Sequence, residues 1–146
     1  MKIAIGCDHG GVELKNALAA HLEELGHTPV DFGTYTTDSC DYPEFAAKAA
    51  RAVAGGECER GIVLCTTGIG VAIVANKIPG IRCAQLFDTL SAKLTRLHND
   101  TNMMSLGAGI IGRNLALEIV DTWLSTPFSG EERHKRRIAK VMSLEK

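Results

Sequence analysis

Short apolar runs alternate along this chain with longer segments in which apolar residues recur every three or four positions. The first pattern reads as buried β-strand and the second as amphipathic helix. Strands are predicted near residues 2–7, 28–32, 61–65, 81–86 and 103–107. The run Gly61-Ile62-Val63-Leu64-Cys65 is uninterrupted, as expected of a central strand covered on both faces. Between the first two strands Leu14, Ala17, Leu18, Leu22 and Leu25 share one helical face, and Gly26 supplies a C-terminal cap. Asp41-Tyr42-Pro43-Glu44 reads as a capping box, in which the Asp41 carboxylate accepts from a helix-start N–H and Glu44 reaches back to the cap. Phe45, Ala49 and Val53 then form the apolar stripe of that helix. Further helices are predicted near 68–77, 89–98 and 113–125, the last carrying Leu115, Ile119 and Trp123 before Pro127 stops it. A sixth, from Glu131 to Leu144, is strongly basic at its start.

Strand and helix in alternation predict a parallel sheet with helices on its faces. No repeat, low-complexity tract or linker divides residues 1–146, so one domain is expected. Hydrophobic residues at 45% and charged residues at 23% place the chain among ordinary globular proteins. A net charge of -1 argues against a nucleic-acid partner, which needs a broad excess of Lys and Arg, so any anion the chain binds should be small. No uncharged run approaches membrane-spanning length, and the N-terminal residues lack the apolar core of a secretory signal, so no membrane partner is expected. The five cysteines (Cys7, Cys40, Cys58, Cys65 and Cys83) are odd in number and include no Cys-x-x-Cys pair. That predicts neither a disulfide framework nor a metal site, and it fits a reducing cytoplasm.

In an open parallel sheet, ligands bind beyond the carboxyl ends of the strands. Cys7-Asp8-His9-Gly10-Gly11, Cys65-Thr66-Thr67-Gly68-Ile69-Gly70 and the later His98-Asn99-Asp100 are the segments that can converge there. The turn after Cys65 leads into a helix, so its free N–H groups and the helix dipole form an anion-binding nest. A helix N-terminus also favours thiolate over thiol, which makes Cys65 a candidate base or nucleophile rather than only a small core residue. The other four cysteines have no such context and read as structural. His9 and His98 fall at element ends, where each can act as acid, base or donor, or simply cap a helix. Asp8 can orient an imidazole, bind a hydroxyl or cap a helix. Arg133 and Arg137 lie one helical turn apart and can clamp a phosphate, although a basic run on a terminal helix is more often a solvated face.

Several rival chemistries fail on the letters. Asp8 replaces the second glycine of a dinucleotide fingerprint, there is no Gly-Lys-Ser/Thr loop, and Val71 stands where a cysteine-dependent phosphatase needs Arg. The surviving constellation resembles the type B ribose-5-phosphate isomerases and their relatives acting on allose and galactose 6-phosphates. The matching motifs are Gly6-Cys7-Asp8-His9-Gly10, Asp41-Tyr42-Pro43, Cys65-x-Thr67-Gly68-x-Gly70, Ala75-Asn76-Lys77, Gly80-Ile81-Arg82, His98-Asn99-Asp100-Thr101-Asn102 and Arg133-His134-x-x-Arg137. Together they span nearly the whole chain.

The resemblance implies a three-layer α/β/α sandwich around a five-stranded, mostly parallel, Rossmann-like sheet, with an extra C-terminal helix. It implies a homodimer, or a tetramer built from it, with each site completed by the neighbouring subunit, and it implies no cofactor and no metal. The reaction implied is ribose 5-phosphate to ribulose 5-phosphate through a cis-enediolate, with Cys65 as base. Thr67 and the amides of Gly68, Ile69 and Gly70 would stabilise the charge, and His98 with Asp8 would open the sugar ring. Asn99 and Tyr42 would touch hydroxyls or shape the pocket, and His9, Arg133 and Arg137 would hold the phosphate. The alternatives are the same chemistry on another phosphorylated aldose, or a sugar-phosphate binding module without catalysis. Two positions depart from the family pattern: Gly109 stands where Arg is common, with Arg113 about one turn later, and Thr66 stands where Gly is usual.

Overall fold

The computed structural model describes residues 1–145. Five strands form one sheet: β1 (Lys2–Cys7), β2 (Thr28–Asp31), β3 (Arg60–Cys65), β4 (Cys83–Gln85) and β5 (Met103–Gly107). Their order is β2-β1-β3-β5-β4, and every neighbouring pair is parallel. The helices are α1 (Val12–Glu24), α2 (Tyr42–Ala54), α3 (Ile69–Asn76), α4 (Thr89–Asn99), α5 (Arg113–Ser125) and α6 (Glu132–Met142).

Side chains alternate across a strand, so each strand feeds two cores. Ile3, Ile5, Ile62, Leu64, Met104 and Leu106 pack beneath α1, α4 and α5 together with Leu18, Leu22, Ile119 and Trp123. Ala4, Val63, Cys65 and Met103 face the other way, against the alanine-rich α2 and the short α3. The result is the expected three-layer sandwich. Helix α6 lies outside it and buries only His134.

Three local expectations change. Asp41 does precede α2, but its carboxylate makes no capping hydrogen bond, so the expected box is absent and Pro43 in the first turn pre-sets the helix instead. The strand expected over 81–86 is regular only at Cys83–Gln85, because Ile81 and Leu86 leave this edge to enter opposite cores. The basic helix spans Glu132–Met142, short of the expected Leu144.

The chain passes from β1 outward to β2, crosses back to β3, runs to the far edge at β4 and returns to β5 between them, so the direction of winding reverses between β1 and β3. Loops on either side of that point diverge and leave a crevice at the carboxyl edge. Lys15, buried on α1, pins the loop after β2 over this edge: its ammonium donates to Asp31 Oδ2 at 2.7 Å and to the Thr34 carbonyl at 2.8 Å.

Candidate active site

At the carboxyl edge, β3 delivers Cys65 into a turn whose geometry depends on glycine. Gly68 has φ +74, and a Cβ there would lie 2.8 Å from the Leu106 carbonyl carbon. This left-handed step turns the Gly68 N–H back onto Cys65 Sγ at 3.1 Å. Thr67 Oγ1 lies 3.8 Å from the same sulfur and accepts the Ile69 N–H at 3.2 Å. Two of the three amides expected around the site are therefore engaged within the turn. The Gly70 N–H, in the first turn of α3, has no intrahelical partner and is the one free to meet a ligand. The Tyr42 ring covers this helix start so closely that a Cβ on Gly70 would lie 2.7 Å from its Cζ.

The loop after β1 closes the other side. Asp8 is buried, and its Oδ1 accepts the Gly10 N–H at 2.9 Å, so the carboxylate caps the single 3-10 turn His9–Gly11. His9 Nδ1 accepts the Cys40 N–H at 3.3 Å, which leaves the ring proton on Nε2 as a donor. His9 and Arg113 line one cavity of about 510 Å³ together with Gly10, Thr37 and Gly112.

His98, Asn99, Arg133 and Arg137 are somewhere else. Helix α4 starts at the carboxyl edge and runs back, so its last residues, His98 and Asn99, arrive at the amino edge just before β5. In register, Cys65 is level with Gly107 and Gly61 with Met103. Four residue steps separate those levels, about 13 Å at ~3.3 Å per residue. The expected convergence of three segments on one edge thus fails within one chain: the His98 segment precedes a strand instead of following one, and Asp8 sits at the far edge from it.

The amino-edge corner is ordered in its own right. The His98 ring stacks on His134 of α6, with centroids 4.5 Å apart and planes 17° from parallel. Burial, and then the neighbouring His98, hold the His134 imidazole below its ordinary pKa against the opposing pull of Glu131. A groove of about 830 Å³ contains His98, Asn99, His134 and Arg137. Arg133 is paired with Glu131 at 2.6 Å, and this contact holds the Glu131 carboxyl below the usual carboxylate range. Beneath the corner, the Arg96 guanidinium donates to Asp100 Oδ1 at 2.8 Å and to the Thr101 carbonyl at 2.6 Å, and Trp123 Nε1 donates to Thr101 Oγ1 at 3.0 Å.

Other cysteines carry no such arrangement. Burial pushes Cys7 and Cys83 up to about 12 and raises Cys58, so all three remain thiols. His134, present in the sequence only as part of the Arg133-His134-x-x-Arg137 motif, stands out through its stack on His98, and its spacing of three from Arg137 puts both on one helix face. Among the described residues, no group of three or more His, Cys, Asp or Glu gathers in a way that could hold a metal ion, and no helix is long and apolar enough to cross a membrane.

A doubly wound parallel sheet with a cysteine turn at its switch point belongs to the class of α/β proteins whose ligand crevice lies at the carboxyl edge of the strands. The family comparison narrows this: residues 3–141 match the model for ribose/galactose isomerases, and the chain belongs to that family. Escherichia coli ribose-5-phosphate isomerase B is 45% identical over 144 residues, covering 99% of this chain and 96% of that protein. D-erythrulose-4-phosphate isomerase of Pectobacterium atrosepticum is 44% identical, covering 89% and 86%. The solved structure of Clostridium thermocellum ribose-5-phosphate isomerase B superposes with a TM-score of 0.97 at 50% identity, covering 99% of this chain and 97% of that one. The protein is an isomerase of the aldose–ketose class.

Proposed function

We propose that this single-domain enzyme interconverts ribose 5-phosphate and ribulose 5-phosphate with Cys65 as the base. The carrying observation is the Gly68 N–H donated to Cys65 Sγ at 3.1 Å with Thr67 Oγ1 3.8 Å away, a geometry that fixes the sulfur at the mouth of the turn beside a hydroxyl and the start of α3. The thiolate takes the proton from C2 of the open-chain aldose, and the released electron pair forms the C1–C2 double bond of an enediolate. The proton returns to C1, and transfer of a hydroxyl proton from O2 to O1 leaves the ketose. Negative charge on the enediolate oxygens is met by the Gly70 N–H and the Thr67 hydroxyl, preorganised donors of the kind that stabilise developing charge most effectively. Asp8 holds the loop that presents His9, and Tyr42 walls the pocket above α3.

The two groups of candidate residues lie at opposite edges of one sheet, which supports a homodimer in which the His98, Asn99, Arg133 and Arg137 corner of one subunit completes the Cys65 site of the other. In that assembly His98 opens the sugar ring, Asn99 contacts a hydroxyl, and the two arginines and His9 hold the phosphate. No cofactor takes part. All five cysteines are free, which supports a cytoplasmic location. Incubating the purified protein with ribose 5-phosphate and measuring ketose tests the reading: turnover supports it, and no ketose at millimolar substrate overturns it.

A second reading keeps the chemistry and shortens the sugar to four carbons. It is favoured by the relative named D-erythrulose-4-phosphate isomerase and by Thr66, whose side chain fills the space between Gly10 and Gly109. Erythrose 4-phosphate in the same assay decides between them.

A further inference from the structure

Thr66 follows the proposed base directly, yet its side chain serves the opposite face of the sheet. Cys65 packs into the core beneath α2 and α3. The Thr66 side chain meets two glycines from two other loops. A Cβ on Gly109, after β5, would lie 2.8 Å from Thr66 Cγ2, and a Cβ on Gly10, after β1, would overlap Thr66 Oγ1. The Gly109 N–H also donates to the Thr66 carbonyl at 2.8 Å, tying the loops after β3 and β5 together. Thr66 is exposed and stands at the switch point of the sheet, where the crevice opens.

Gly10 lines the cavity that holds His9 and Arg113, and Ala108, the neighbour of Gly109, lines it too. That cavity lies on the α1 and α5 face, lined by Val12 and Leu14, whereas the sulfur lies on the α2 and α3 face. A substrate that reacts at Cys65 and places an anionic end beside His9 must cross the sheet edge at Thr66. We propose that Thr66 is a specificity-determining residue: its side chain, wedged between Gly10 and Gly109, limits the number of carbons between the reacting carbonyl and the phosphate.

This inference rests on the isomerase reading above and deepens it. Replacing Thr by Gly removes Cβ, Oγ1 and Cγ2, more heavy atoms than one additional CHOH unit contains. The wedge and Gly109 also form one unit, since any side chain at 109 competes with the Thr66 methyl for the same space.

The test measures kcat/KM for ribose 5-phosphate and allose 6-phosphate with the wild-type enzyme, Thr66→Gly, Thr66→Val and Thr66→Ser. Thr66→Gly is expected to lower the five-carbon over six-carbon ratio by about tenfold or more, the discrimination a pocket obtains from one extra carbon unit. Thr66→Val keeps the shape and should keep the ratio, while Thr66→Ser, a milder change that stands in if the glycine variant does not fold, should shift it part of the way. An unchanged ratio in both smaller variants, with the wild type active, overturns the wedge alone. A wild type inactive on every phosphorylated aldose overturns the isomerase reading instead. Thermal unfolding checks the coupling: Gly109→Ala should lower the midpoint, and Thr66→Gly/Gly109→Ala should restore much of the loss. A Gly109→Ala protein as stable as the wild type would show that the contact is not tight, against the proposal.

Discussion

The turn after β3 and the corner between α4 and α6 carry candidate groups in equal measure, but they are built by different means. In the turn, six consecutive residues suffice, because one glycine at φ +74 bends the backbone so that its own N–H faces the sulfur. In the corner, residues 96 to 137 cooperate through side chains, with two stacked imidazoles above and a buried guanidinium below. The backbone-built half is preorganised by local sterics and tolerates little change at its glycines. The half built from side chains depends on α6, a helix that buries a single residue, and is correspondingly open to adjustment by pH and by a partner.

The contrast can be broken most sharply at its chemical centre. Cys65→Ala should lower kcat by about 10²–10⁴-fold, the range for a general base, while sugar-phosphate affinity measured by calorimetry stays close to wild type. Surviving turnover would remove Cys65 from its role. Mixing that variant with His98→Asn tests whether the halves meet across a subunit boundary. Each mixed dimer regains one intact site, so random exchange should restore about a quarter of wild-type activity, and an inactive mixture would confine each site to one chain.

Smaller effects probe how each half is held. Gly68→Ala forces a side chain into the left-handed region against the β5 backbone and should cost about 1–3 kcal/mol, seen as a lower thermal midpoint. The same change should reduce kcat as the amide turns away from the sulfur. The corner should instead respond to acid. His134 has a lowered pKa in the folded state, so the unfolded chain binds its proton more readily and stability falls as pH drops below about 6.5, the free histidine value. His98, Arg133 and Arg137 weigh on the same side and Glu131 against them. Thermal midpoints between pH 8 and pH 5 should show the slope, and His134→Asn should flatten it, by an amount smaller than the glycine effect.

What the sequence made legible follows the same division. Cys65, Thr67 and Gly68 could be read from adjacent letters because their geometry is local, and the strand periodicity located the sheet edge on which they stand. The position of His98 could not be read this way. It follows instead from the order of elements, because a helix that ends just before a strand of a parallel sheet ends at the amino edge, as the helix near 89–98 and the strand near 103–107 already implied. The capping box at Asp41 failed for a local reason: the proline that follows already fixes the backbone, so the carboxylate has no structural task there. Thr66 and Gly109 stood out separately in the sequence, but their contact depends on two strands lying side by side.

Trp123 is the only tryptophan in the chain, it is fully buried, and its indole nitrogen is bonded to Thr101 beneath the histidine pair. The molecule therefore carries its own optical probe at the corner it would present to a neighbour. Loosening there would change the emission colour of one fluorophore without any label, and could be followed separately from events at the distant sulfur.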